Sequence, residues 1–158
     1  MRKLSVYVET SVWSHAFAED APPLREATER FLADAREGKY ELYISDVVLD
    51  EIARAKEELA DRLRQLVKEL DPVILHLDED MDLLAQDFLE QGVVPPSKIE
   101  DSQHVAAAVV SELDVLVSWN YRHLVNVRRR ENFYKISVMH GYYKPLQIVT
   151  PLEVDNES

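Results

Sequence analysis

The chemistry-bearing residues of this chain are acids set at the ends of apolar runs. Glu9 directly follows the apolar stretch Leu4-Ser5-Val6-Tyr7-Val8. Glu51 lies about two helical turns beyond a second such stretch, residues 40–44. Glu100 and Asp101 open the run Ser102-Gln103-His104-Val105-Ala106-Ala107-Ala108, and Ser118 and Asn120 follow Val115-Leu116-Val117 at once. Carboxylates brought close together raise one another's pKa unless a cation neutralises them. An oxygen-rich set, with no Cys and no His pair at ligand spacing, favours a hard ion, Mg²⁺ or Mn²⁺, over zinc. Such an ion can activate water and stabilise charge on a phosphoryl group, and it lets an acidic pocket accept a phosphodiester.

That chemistry requires the elements to bring the acids to one edge. Residues 4–8 read as a first strand, and a helix beginning at Glu9-Thr10-Ser11 carries Val12, Trp13 and Phe17. The pair Pro22-Pro23 suits entry into a second helix, with Leu24, Ala27, Phe31, Leu32 and Ala35 at helical spacing and Gly38 as its stop. Residues 40–44 form a second strand, and Ser45-Asp46 caps a helix that turns Val48, Leu49 and Ile52 inward. An amphipathic stripe from Leu59 to Leu70 ends at Asp71-Pro72. Residues 73–77 read as a third strand, with Asp78 capping the helix of Met81, Leu84, Ala85, Phe88 and Leu89. The Ala-rich segment is a buried helix starting near Glu100 or Asp101, and residues 115–117 form a strand covered on both faces. A basic, partly helical segment follows Asn120, and residues 147–150 make a last short strand. Alternating strands and helices predict an α/β fold with a mainly parallel sheet, whose ligands sit beyond the carboxyl ends of the strands. Glu9, Glu51, Asp101 and Asn120 all belong near that edge.

The 158 residues fit a single domain over residues 1–150, with an acidic tail, residues 151–158, expected to fray. No apolar run approaches a membrane span, residues 4–8 are too short for a signal peptide, and the absence of Cys suits a cytoplasmic protein. The formal net charge of −12 argues against nonspecific coating of nucleic acid. Its distribution is uneven. Residues 120–144 hold Arg122, Arg128, Arg129, Arg130, Lys135 and Lys144 against the single acid Glu131.

Val6-Tyr7-Val8-Glu9-Thr10-Ser11, the segment from Ser45 to Glu51-Ile52, Glu100-Asp101-Ser102-Gln103-His104-Val105-Ala106, and Leu116-Val117-Ser118-Trp119-Asn120 together resemble the four motifs of the PIN domain. Their order and spacing agree over roughly residues 4–150, and the nearest resemblance is to the VapC-type toxin ribonucleases of type II toxin–antitoxin pairs. The resemblance implies a three-layer α/β/α PIN-like fold and an endoribonuclease dependent on Mg²⁺ or Mn²⁺, hydrolysing RNA with a metal-activated water. It also implies a homodimer held by a cognate antitoxin. Carried over residue by residue, Glu9, Glu51 and Asp101 are the metal ligands and Asn120 the fourth catalytic position, with Thr10 and Ser118 in support. Glu9 and Asn120 depart from the Asp usual in the family. The first moves the charge outward by one methylene, and the second removes a charge while keeping one oxygen.

Plainer readings stand beside these. Glu9 and Asp101 suit helix N-termini, Glu51 suits an exposed helix face, and Asp46 suits a cap. Glu100 reads as solvated, and His104 and Trp119 read as packing residues. Arg128, Arg129 and Arg130, with Arg122, read either as a solvated face or as contacts to RNA phosphates. The rival functions are a weak or inactive PIN-like protein that binds nucleic acid or regulates, and a receiver-like phosphoacceptor. The latter lacks the Asp and Lys it needs at strand ends.

Overall fold

The computed structural model describes residues 2–154. Its centre is a five-stranded parallel sheet formed by β1 (Leu4–Val8), β2 (Tyr40–Ser45), β3 (Val73–Leu75), β4 (Val115–Val117) and β5 (Gln147–Val149), in the order β3-β2-β1-β4-β5. The chain runs outward from β1 to β3, then crosses back to β4 and outward to β5. Right-handed crossovers therefore put the two sets of helices on opposite faces. One set is α1 (Thr10–His15), α2 (Pro22–Arg36), α3 (Asp46–Ala53) and α4 (Glu57–Leu70). The other is α5 (Glu79–Glu90), α6 (Ile99–Val110) and α7 (Val127–Met139). The predicted α/β/α layering and parallel sheet are thus what the chain adopts.

Valine-rich composition explains which strands lie centrally. Val6, Tyr7, Val8, Leu116 and Val117 are wholly buried, as strands covered on both faces require. Val73 and Ile74 of the edge strand β3 are largely exposed. This strand is shorter than residues 73–77 because the Leu77 amide donates to the Asp46 carboxylate (3.0 Å) instead of to a neighbouring strand. Ser45, accepting from the Val47 amide, is the cap of α3, so Asp46 serves as the fastening of β3. The helix of Val12 and Trp13 stops at His15, leaving Phe17 in the turn beyond it. Asn126 caps α7 by accepting from the Arg129 amide (2.9 Å), giving the basic segment the boundary that its weak apolar periodicity hides. The tail expected to fray over residues 151–158 is helical at α8 (Pro151–Val154). Pro151 and Val154 are buried there, and the Val154 carbonyl accepts from the Tyr40 hydroxyl. Residues 155–158 lie outside the described residues. Among the described residues, no helix is long and apolar enough to cross a membrane.

The amino end of the sheet is stapled by Asp114, far from the acids considered below. Its carboxylate accepts from Arg2 (2.7 Å), the Ser5 amide (2.9 Å) and Lys144 (2.9 Å). The Arg2 hydrogen bond foremost holds this carboxyl well below the usual range. At the carboxyl end, β1 and β4 run in register from Val6↔Val115 to Val8↔Val117. The strand order reverses between them, which is where α/β folds place ligands.

Candidate metal centre

Glu9 leaves β1 beside the end of β4, its amide donating to the Val117 carbonyl (3.1 Å). The side chain is buried and caps α1. It accepts from the Ser11 amide (3.0 Å), the Ser11 hydroxyl (2.6 Å) and the Ser118 hydroxyl. The capping role and a place in the acidic cluster coexist at this residue. Ser118 also accepts from the Asn120 amide (2.9 Å), and Ser11 accepts from the Trp119 amide (2.9 Å). Two serine hydroxyls therefore lock the ends of β1 and β4 around one carboxylate.

Glu51 comes from α3 and accepts from the Thr10 hydroxyl (2.7 Å) and from His104 Nε2 (2.5 Å). Burial works to raise its carboxyl, but His104, Thr10 and Arg54 outweigh burial and bring it below its ordinary value. His104, wholly buried on α6, contacts the Tyr7 hydroxyl through Nδ1 (2.6 Å), and that hydroxyl meets Ser45 Oγ (2.6 Å). Burial works against the imidazolium. The Glu51 hydrogen bond and the charges of Glu9, Glu51 and Asp101 more than offset it, so His104 titrates above its usual value. Tyr7 is pushed well up, by burial first. A buried relay from β2 through β1 to α6 thus fixes one face of Glu51.

Ligand atoms of Glu9, Glu51 and His104 all lie within 4.8 Å of one another. Asp101, one turn before His104, stands outside that tight group as the side chains lie, but it belongs to the same field. Burial, and then the Glu9 charge, raise its carboxyl to about 6. Asn120 Nδ2 approaches Asp101 Oδ2 (3.4 Å), while Asn120 Oδ1 accepts from the His123 amide (3.0 Å). The amide oxygen is therefore engaged in the turn, and its NH₂ faces the carboxylate. An Asp at this position would set two carboxylates against each other. Arg54 pairs with Glu100 at the rim, so Glu100 is an ion-pair partner. The donors present suit a divalent cation: two carboxylates and an imidazole converge, a third carboxylate stands alongside, and the excess negative charge raises Asp101.

The basic residues divide. Arg122 and Arg128 are exposed. Arg129 donates to the Val93 carbonyl and Arg130 to the Ile148 carbonyl (3.0 Å), so both tie α7 to the body of the protein. Trp119 is buried, its Nε1 donating to Thr28 Oγ1 (2.8 Å), and so it packs as expected. His104, Tyr7 and Ser11 belong to the site although their types and positions in the sequence suit packing and capping. The spacing of Asp101 and His104, three apart and so on one helix face, was the available signal.

The chain belongs to the PIN-domain family, whose profile matches residues 6–128 and so takes in Glu9, Glu51, Asp101, His104 and Asn120. Among solved structures it is similar to VapC20 of Mycobacterium tuberculosis, a Sarcin-Ricin loop cleaving toxin. The TM-score is 0.59 at 18% identity, with 75% of this chain and 92% of that chain covered, a likeness of fold. No curated protein matches the chain.

Proposed function

We propose that this protein is a divalent-metal-dependent endoribonuclease of the VapC toxin type that hydrolyses RNA phosphodiesters. The observation that carries the reading is the convergence of Glu9, Glu51 and His104 within 4.8 Å, beside a half-buried Asp101, at the switch point of the sheet. Glu9, Glu51 and Asp101 would hold Mg²⁺ or Mn²⁺, with His104 behind Glu51 as its hydrogen-bond partner. When bound, that ion supplies charge neutralisation at the phosphoryl group and a lowered pKa for water. Ser11 and Ser118 aim the Glu9 carboxylate, and Thr10 and His104 aim that of Glu51. Asn120 braces Asp101 without adding charge. Arg122 and Arg128 are exposed and available to RNA phosphates, with Arg129 and Arg130 contributing field from tethered positions.

The same reading carries a single domain over residues 1–150, a homodimer, a cognate antitoxin partner and a cytoplasmic location. Light scattering showing a monomer at high micromolar concentration would count against the dimer. The function is tested by incubating the purified chain with a mixed RNA pool across a Mn²⁺ series: cleavage that rises with metal supports it. A second reading, binding without cleavage, is favoured by the engagement of the Asn120 oxygen in the turn. It predicts a metal-stabilised protein that binds RNA and leaves it intact.

A further inference from the structure

Next to Asn120 in the chain stands an aromatic side chain that the proposed mechanism does not use. Tyr121 follows Asn120 directly and is 53% exposed. Its backbone is pinned on both sides: the amide donates to the Trp119 carbonyl (3.0 Å), and the carbonyl accepts from Asn126 Nδ2 (3.0 Å). The ring leans on Trp119, with centroids 6.4 Å apart and planes 53° apart, and Trp119 is itself anchored to Thr28. An exposed tyrosine on a tethered loop has apolar area to offer a ligand and little backbone freedom to lose on binding.

Cations gather at the same place in an otherwise acidic protein. Arg122 is exposed next in sequence, and the His123 amide is bound to Asn120 (3.0 Å). Burial first, then the charges of Arg129, Arg122 and Lys98, push the His123 imidazole below its ordinary value. Lys98, also exposed, is the residue before α6, three positions ahead of Asp101.

We propose that Tyr121 is a stacking platform for one unpaired base of the bound nucleic acid, with Arg122 meeting the phosphate beside it. This rests on the nuclease reading and deepens it. A base inside a duplex is already stacked on both faces, so the platform selects single-stranded or looped RNA at the nucleotide next to the acids. Position specifies which base stacks, and the π-face of any base suffices.

The test titrates the full chain, with Ca²⁺ as the metal, against single-stranded oligoribonucleotides carrying fluorescent aminopurine at successive positions, and against the same strands in duplex. Tyr121→Ala should weaken single-strand binding roughly five- to hundredfold and abolish aminopurine quenching at one position, and Tyr121→Phe should keep both. The salt slope should be unchanged in Tyr121→Ala and shallower in Arg122→Ala by about 0.7, the share of one phosphate on a single strand. Wild-type affinity and quenching in Tyr121→Ala would overturn the platform while leaving the nuclease reading intact. Failure of the wild type to bind RNA in either form would overturn both.

Discussion

Replacing Asp101 by Asn should stabilise the metal-free protein near neutral pH, although it removes a residue of the proposed site. Burial and the Glu9 charge raise the Asp101 carboxyl from an ordinary 3.8 to about 6. At about 1.4 kcal/mol per unit, keeping it ionised in the folded chain costs about 3 kcal/mol. Its partial exposure to solvent brings the expected gain to about 2 kcal/mol. For a chain of this length that is roughly 4–8 °C in melting temperature. The sign follows from linkage. A carboxyl whose folded pKa lies above its unfolded one contributes its full stability below about pH 4 and loses it as pH rises through about 6. The variant and the wild type should therefore melt together near pH 4, diverge between about pH 4 and 6, and keep a constant gap above that. Chelator-treated samples melted across this range give the answer. Mn²⁺ should then reverse the order, because a ligand at a hundredfold excess over its Kd adds about 2.7 kcal/mol to the protein that binds it. A variant less stable than wild type without metal, or a gap independent of pH, would refute the picture of carboxylates held in mutual repulsion.

Other perturbations separate the parts. His104→Gln and Tyr7→Phe should each weaken Mn²⁺ binding roughly ten- to hundredfold, because Glu51 loses the relay that orients it; calorimetric titration reads this, and unchanged affinity would make the relay structural only. Arg122→Ala and Arg128→Ala should flatten the salt dependence of RNA binding with the melting temperature intact. Arg130→Ala should instead lower the melting temperature, because it leaves the Ile148 carbonyl without its donor. Asn120→Asp should make metal-free protein less stable and metal-dependent cleavage faster, and loss of cleavage there would mean that the amide itself is needed. Asp114→Asn should cost about 1–3 kcal/mol in urea melts and leave the Mn²⁺ response unchanged, because its partners lie at the other end of the sheet.

Much of the arrangement was legible in the chain because it rests on local signals. The apolar runs ending at Val8 and Val117 declared buried strands, and strand polarity then put Glu9 and Ser118 at the same edge of the sheet. The pairing of β1 with β4 that sets them side by side came from the fold. Asp78 and Asn126 are caps of the kind sequence can show, though only the first stood beside a clear apolar stripe. What escaped depends on contacts between distant segments. His104 acquires its role from Tyr7, nearly a hundred residues away, whose hydroxyl points out of a strand otherwise read as core. Arg129 and Arg130 look like a solvated run until the Val93 and Ile148 carbonyls claim them. The third strand is cut short by the Asp46 carboxylate, which no alternation pattern reports. Asn120 illustrates the same limit at the site: its type suggests an oxygen ligand, whereas its turn commits that oxygen to the His123 amide.

The most direct test of the central claim compares RNA cleavage by purified wild type and Glu51→Gln, each with Mn²⁺ and with chelator. Glu51 is chosen because it joins the α3 side of the site to His104 and Thr10. The account predicts endonucleolytic products only for wild type with metal, with Glu51→Gln folded and slower by at least about a hundredfold, a loss of about 2.7 kcal/mol in transition-state stabilisation. Cleavage that survives chelation, or that proceeds equally in Glu51→Gln, would contradict it.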